Sequence, residues 1–341
     1  MPAKGASGFV MPCTRRGLLA GAGALLAAGL TACKRDRRIL RSADAHPSGY
    51  PTVEAVREMG RMLEARSGGE LVLKTYPGAQ LGQEEDTLEL TIFGGIDVNR
   101  INLSPLNPIA PETVVPALPF LFRNEAHMRA ALDGAPGRQI LDSLYDHGLV
   151  GLCFYDSGAR SFYTRDRLIH SPADMRGLKI RVMNSNLFVS MVEALGGNAT
   201  PMAYGEVYQG LMQGVIDGAE NNWPSFESSR HFEAAPFYSL TQHVMAPEVL
   251  VVSRRRWEQM SAEEQALMRE CARDSVPYMR ALWDQRSTDA EARLREAGVE
   301  IITPDPEPFA ARVEGVWQRY LNTPRLQRLA EDILAMGEAT G

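Results

Sequence analysis

The sequence predicts a layered α/β fold in two parts, and three observations carry that expectation. Short strand and helix patterns alternate along most of the chain with brief turns between them, the arrangement that stacks helices on sheets. The chain has 341 residues, more than one domain of usual size holds. Residues 262–296 form one helical stretch with only Pro277 inside it. That stretch is too long for one small domain, so it is expected to span both.

The elements follow in order. Residues 52–66 place Val53, Val56, Gly60 and Leu63 at helical spacing, and residues 71–76 alternate as a strand. Residues 83–93 read as a helix whose first turn holds Glu84, Glu85 and Asp86, where the macrodipole favours acids. Gly94-Gly95 ends it, and residues 96–103 return as a strand. Pro105, Pro108, Pro111, Pro116 and Pro119 make the next stretch a structured connection rather than a long helix. A second unit begins near Leu149, with strands at 178–182, 215–219 and 248–253 and helices at 186–195 and 206–212. After the long helix come a strand at 299–302 and helices at 308–320 and 326–336, packing as a tail.

Hydrophobic residues make up 45% and charged residues 23%, a composition that excludes intrinsic disorder. Thirty-six Lys and Arg against 42 Asp and Glu give a net charge of −6. That argues against a nucleic-acid partner, whose binding rests mainly on neutralised phosphates. The one long apolar run lies near the N-terminus, so the body of the chain is not expected to span a membrane.

That run reads as an export signal over residues 1–32. Arg15-Arg16 before Gly17-Leu18-Leu19 resembles a twin-arginine signal. Leu30-Thr31-Ala32-Cys33 resembles a bacterial lipobox, with cleavage before a lipid-modified Cys33; the alternative is plain cleavage near Ala32. Cleavage leaves 341 − 32 = 309 residues and removes Lys4, Arg15 and Arg16 but no acid, so the charge becomes −6 − 3 = −9. Cys153 and Cys271 read as buried small hydrophobes rather than a disulfide.

No catalytic constellation stands out. The histidines show no HxxxH spacing, the cysteines no CxxC pair, and there is no GxSxG elbow, P-loop or GxGxxG. Glu84, Glu85 and Asp86 are helix neighbours that point in different directions, so they form no facing carboxylate pair. No enzyme activity, metal or cofactor is expected.

Three stretches are unusual for a plain core: Asp156 to Tyr163, Met175 to Val182 and Asp217 to Pro224. In the second, Lys179 and Arg181 share one face of a strand while Leu178, Ile180 and Val182 share the other. An arginine there presents a planar fork suited to a carboxylate.

Together with Tyr76-Pro77-Gly78-Ala79-Gln80-Leu81-Gly82, Ala117-Leu118-Pro119-Phe120 and the run from Thr200 to Leu211, these stretches resemble the substrate-binding subunit of tripartite ATP-independent periplasmic (TRAP) transporters, the DctP-like family. The resemblance covers nearly all of the chain after the signal. It implies a periplasmic-binding-protein fold, two α/β domains joined by a hinge and closing on one ligand. One domain would hold residues 39–157 plus 247–286, the other 158–246 plus 287–341. The implied function is a monomeric periplasmic receptor that hands an organic acid to the TRAP membrane subunits.

The resemblance also implies residue roles. Arg181 would pair with the ligand carboxylate, with Arg160 as a second arginine, Asn221 as a ligand contact, Tyr204 as an aromatic wall and Glu84 as a polar position. Asn102 stands where sialic-acid-binding members carry an acid, which argues against sialic acid. The runs Asp44-Ala45-His46-Pro47, Glu220-Asn221-Asn222-Trp223 and Gln242-His243 are similar to members that bind hexuronates such as glucuronate and galacturonate. His46, Arg100, Asn222 and His243 therefore join the expected contacts. A sugar acid needs one cationic anchor and a ring of donors and acceptors. Arg100 as a second cation keeps a C4-dicarboxylate as the alternative ligand, and an exported enzyme acting on sugar acids is the rival of another class.

Overall fold

The computed structural model describes residues 37–339; the expected export signal and Cys33 lie outside the described residues. The chain begins with strand β1 (Arg38–Ala43), helix α1 (Pro51–Arg66) and strand β2 (Leu71–Tyr76). Pro51 sits in the first turn of α1, where its missing N–H costs nothing. Helix α2 (Glu84–Phe93) follows, with Asp86 accepting the Gln83 N–H at 3.1 Å and Gly94 ending it in the left-handed region at φ 84°. Strand β3 (Val98–Asn102), a proline-rich 3₁₀ connection, helices α3 (Glu125–Asp133) and α4 (Ala135–Ser143) and strand β4 (Leu149–Tyr155) complete the first run.

The second run holds β5 (Arg160–Thr164), β6 (Lys179–Val182), α5 (Asn186–Ala194), β7 (Asn198–Pro201), α6 (Val207–Met212), β8 (Gly218–Asn221), α7 (Trp223–Ser228) and β9 (Phe237–Val244). The chain then returns as β10 (Glu248–Ser253) and α8 (Arg254–Trp257), and enters α9 (Ala262–Glu296). Strand β11 (Glu300–Ile302) and helices α10 (Glu307–Tyr320) and α11 (Pro324–Ala339) end it.

These strands form two sheets. The first has the order β2-β1-β3-β10-β4, and the second β11-β9-β5-β8-β6-β7. In the first sheet β1 runs parallel to β2 and β3, and β10 runs antiparallel to β3 and β4. In the second, β6 runs parallel to β7 and β8, while β5 runs antiparallel to β8 and β9. The chain passes from the first sheet to the second at residues 156–159 and returns at 245–247.

Helix α9 is buried in two cores. Met268, Cys271, Met279 and Trp283 pack with Leu40, Val56 and Leu250 of the first sheet and α1. Farther along, Leu294 packs with Tyr163, Phe226 and Tyr238 of the second sheet and α7. Ser261 starts it with a reciprocal cap: its hydroxyl accepts the Glu264 N–H at 3.2 Å, and its own N–H reaches the Glu264 carboxylate at 2.8 Å. Cys153 and Cys271 are free and lie in one core.

Two details differ from the sequence expectation. The strand expected at 215–219 begins at Gly218. Gly214 turns at φ +71°, Val215 stays 49% exposed, and Asp217 anchors the turn by accepting the Lys179 N–H at 2.8 Å. Apolar Val215 and Ile216 imitate a strand start, and the shift brings Glu220 and Asn221 into β8. The last helix, expected with the second domain, packs instead on α3 and on the 3₁₀ connection at 111–117, both of which lie between strands of the first sheet. Its apolar stripe, Leu326, Leu329, Ala330 and Ile333, reads equally well against either body, and the contact decides.

Candidate functional site

A cavity lies between the two sheets and opens to solvent, with about 380 Å³ of atom-free space when the open part is counted. His46, Glu84, Arg100, Asn102 and Glu248 line it from the first sheet's side. Ser157 lines it from the crossover, and Arg160, Arg181, Met183, Tyr204, Asn221, Asn222 and Ser225 from the second sheet's side.

The first wall is built around Arg100, which is 1% exposed. Arg100 and Asn102 sit two apart on β3 and so share a face. Glu248, heading β10, pairs in register with Asn102. Asp44 follows the end of β1, and Glu84 opens α2. Arg100 Nη1 donates to Glu84 Oε1 at 2.8 Å and Glu248 Oε2 at 2.6 Å, and Nη2 donates to Asp44 Oδ1. Burial works against its charge, but Asp44, Glu248 and Glu84 hold its pKa well above the usual range. Burial pushes the Glu84 carboxyl up to about 7 against the pull of Arg100. A guanidinium held by three carboxylates is not the spare second cation that a dicarboxylate ligand calls for.

The second wall has a different balance. Arg160 opens β5, and Asn221 closes β8 opposite Ser161. Arg160 Nε and Nη2 grip the Glu220 carboxylate in a fork, and Nη1 donates to Asn221 Oδ1 at 2.9 Å. Burial works to raise the Glu220 pKa, but the Arg160 charge and the His243 contact outweigh it and hold it below the usual range. Arg181, 3% exposed, donates from Nε to the Met202 carbonyl at 2.8 Å. Among the described residues no carboxylate lies within 4.0 Å of it. Burial lowers its pKa although Glu220 acts the other way. A buried, unpaired guanidinium gains most when an anion arrives.

His46 stacks on Tyr50 at 3.8 Å and meets the Tyr204 ring edge-on at 5.4 Å. Burial, with Arg100 and Arg160, holds it well below the usual imidazole range, so it is neutral. Its Nδ1 has no hydrogen-bond partner among the described residues.

Several expected contacts do other work. Asn102 donates to the Ala246 carbonyl at 2.9 Å and accepts the Ser104 N–H at 3.0 Å, so its side chain fastens the return crossing. Asn222 donates to the Ser157 carbonyl at 2.8 Å and caps α7 by accepting the Ser225 N–H at 2.8 Å. His243 does not line the cavity. It lies behind Glu220 at 3.6 Å, stacked on Phe162 at 4.1 Å and bonded to Thr241 at 2.8 Å. The alternation of β9 turns it into the sheet's packing rather than toward the ligand space. Asp44, Glu220 and Glu248 were not among the expected site residues. The sequence signal for Glu248 is an acid heading an otherwise apolar strand.

A cavity walled by two sheets and lined by paired and unpaired buried charges is an arrangement that can enclose a small charged solute, as the solute-binding class of proteins does. The chain belongs to the bacterial extracellular solute-binding protein family 7, DctP, whose model matches residues 42–323. A solute-binding protein of Chromohalobacter salexigens is 40% identical over 86% of this chain and 88% of its own length. A solved TRAP periplasmic solute-binding protein from Bradyrhizobium sp. BTAi1, with bound α/β-D-galacturonate, is 51% identical. It superposes with a TM-score of 0.87 over 87% of this chain and 100% of that one. One from Roseobacter denitrificans, with bound β-D-glucuronate, is 40% identical, with a TM-score of 0.85 over 87% of this chain and 99% of that one.

Proposed function

We propose that this protein is a periplasmic receptor of a TRAP transporter that captures a hexuronate and presents it to membrane subunits. The observation that carries the reading is Arg181, buried in the cavity with no carboxylate partner among the described residues. It anchors the ligand carboxylate. Asn221 offers its side-chain N–H₂ and His46 its Nδ1, and the carboxylates around Arg100 accept from sugar hydroxyls. Relatives with bound galacturonate at 51% identity and bound glucuronate at 40% support the ligand class. The receptor works as a monomer without a cofactor and returns its ligand unchanged. Residues 1–32 export it, and Cys33 carries a lipid anchor.

A panel of ligands tests the reading by thermal shift. A ligand that binds only the folded state stabilises it by mass action. Galacturonate or glucuronate should raise the melting temperature, and succinate and malate should do less. Strong stabilisation by a four-carbon diacid and none by either uronate would refute it. Glucuronate recovered chemically altered would favour an exported enzyme.

The two sheets and their helices act as domains that close on the ligand, hinged at the crossings and along α9. Contacts between the two walls support this. Glu85, beside Glu84, accepts from Asn184 Nδ2 at 2.9 Å, Gln83 accepts the Gly205 N–H at 3.3 Å, and Tyr50 bonds Ser225 at 2.8 Å. A ligand that touches both walls favours the closed form by its differential affinity. X-ray scattering should give a smaller radius of gyration with saturating uronate than without. Equal radii in a sample that binds would remove the hinge.

A further inference from the structure

The two cavity walls carry unlike charge, and the difference has a consequence for selection within the acids this site takes; the inference rests on the uronate reading above. Arg181 and Arg160 against Glu220 leave the second wall at +2 − 1 = +1. At pH 8, above the Glu84 pKa of about 7, Arg100 against Glu84 and Glu248, with Asp44 buried behind them, leaves the first wall at +1 − 3 = −2. Neutral His46, 8% exposed and with Nδ1 unpartnered, lies on that same acidic side.

A hexuronate suits this pairing: its single carboxylate meets Arg181, and its far hydroxyls donate to carboxylate oxygens. Oxidation of its C1 end gives a hexarate, with the same carbon count and a second carboxylate. That carboxylate would face a buried wall already in excess of negative charge. It offers no proton to donate, and among the described residues the one cation lining that wall, Arg100, is already held by three carboxylates. Like charges placed together at low dielectric are strongly unfavourable.

We propose that the acidic wall around Arg100, with Glu84 as its adjustable member, is a charge filter that admits hydroxylated monoacids and rejects the corresponding diacids. Glu84 is the member to change. It is the most exposed of the three carboxylates, and its Oε1, which accepts from Arg100 and from the Asn102 N–H at 3.1 Å, survives as the amide oxygen of glutamine.

The test is calorimetry at pH 8 with galacturonate and galactarate on the wild type, Glu84→Gln, Glu84→Asp and Glu89→Gln. Both ligands are measured on every protein, so their difference in shape cancels between variants and the charge at position 84 remains. The wild type should prefer galacturonate. Glu84→Gln should cut that preference about tenfold or more, a change of about 1.4 kcal/mol. Glu84→Asp should largely keep it. Glu89→Gln removes an exposed acid of the same helix and should leave the preference unchanged, which separates the wall from net charge.

An unchanged preference in Glu84→Gln, with galacturonate still binding, overturns the filter and leaves the uronate reading standing. So does an equal loss in Glu89→Gln. A wild type that binds galactarate as tightly as galacturonate also overturns the filter alone. A wild type that binds neither galacturonate nor glucuronate overturns both.

Discussion

Arg181→Ala should weaken uronate binding about 30-fold or more. Removing one partner of a buried, hydrogen-bonded charge pair costs about 2–5 kcal/mol, and each 1.4 kcal/mol is about tenfold in affinity. Arg160 should not compensate. Its fork is already closed on Glu220, and its third nitrogen is held by Asn221. Lysine at 181 should restore binding only in part, since a point charge lacks the planar fork. The variant should still fold, because no protein carboxylate within 4.0 Å among the described residues depends on Arg181. Calorimetry on the purified variant gives the number; affinity within a few-fold of wild type would show that the anchor lies elsewhere.

Arg100→Met should act on the fold first. It removes the cation that Asp44, Glu84 and Glu248 share, and breaking a buried charge cluster costs about 3–5 kcal/mol. The loss should depend on pH in a defined direction. Burial already raises the Asp44 pKa and holds Glu84 at about 7 with Arg100 present. Without Arg100 both rise further above their unfolded values. The folded variant then binds more protons than the unfolded chain, so its stability falls as pH rises through the range above the ordinary carboxylate pKa. Urea melts should show the gap from wild type widest at pH 8 and narrower at pH 5. A gap independent of pH would mean that the carboxylates do not titrate as this geometry requires.

The sequence made some of this legible and hid the rest for physical reasons. The alternation of β2, the apolar run of β10 and the long proline-poor stretch of α9 mark these elements to the residue, because each is a local signal. The start of β8 was hidden because Val215 and Ile216 are apolar yet sit in a turn set by Gly214 and Asp217. Arg181 was readable from the polar face of its strand, which it shares with Lys179, while Arg160 and Asn221 were expected only through the family resemblance; all three line the cavity. The state of Arg100 was not. Its three carboxylates come from the end of β1, the start of α2 and the start of β10, up to 148 residues away, and only the folded sheet order brings them together. His243 shows the converse: its neighbours in sequence suggest the pocket, while the strand's alternation turns it into packing against Phe162.

The account's central claim is that a uronate binds with its carboxylate on the second wall and its hydroxyls on the first. A crystal structure of the protein with galacturonate tests it most directly. The account predicts one sugar acid enclosed between the sheets, its carboxylate within hydrogen-bond distance of Arg181 and at least one ring hydroxyl on Glu84 or Glu248. A carboxylate seated on Arg100, with Arg181 left unpaired or facing only hydroxyls, would contradict it.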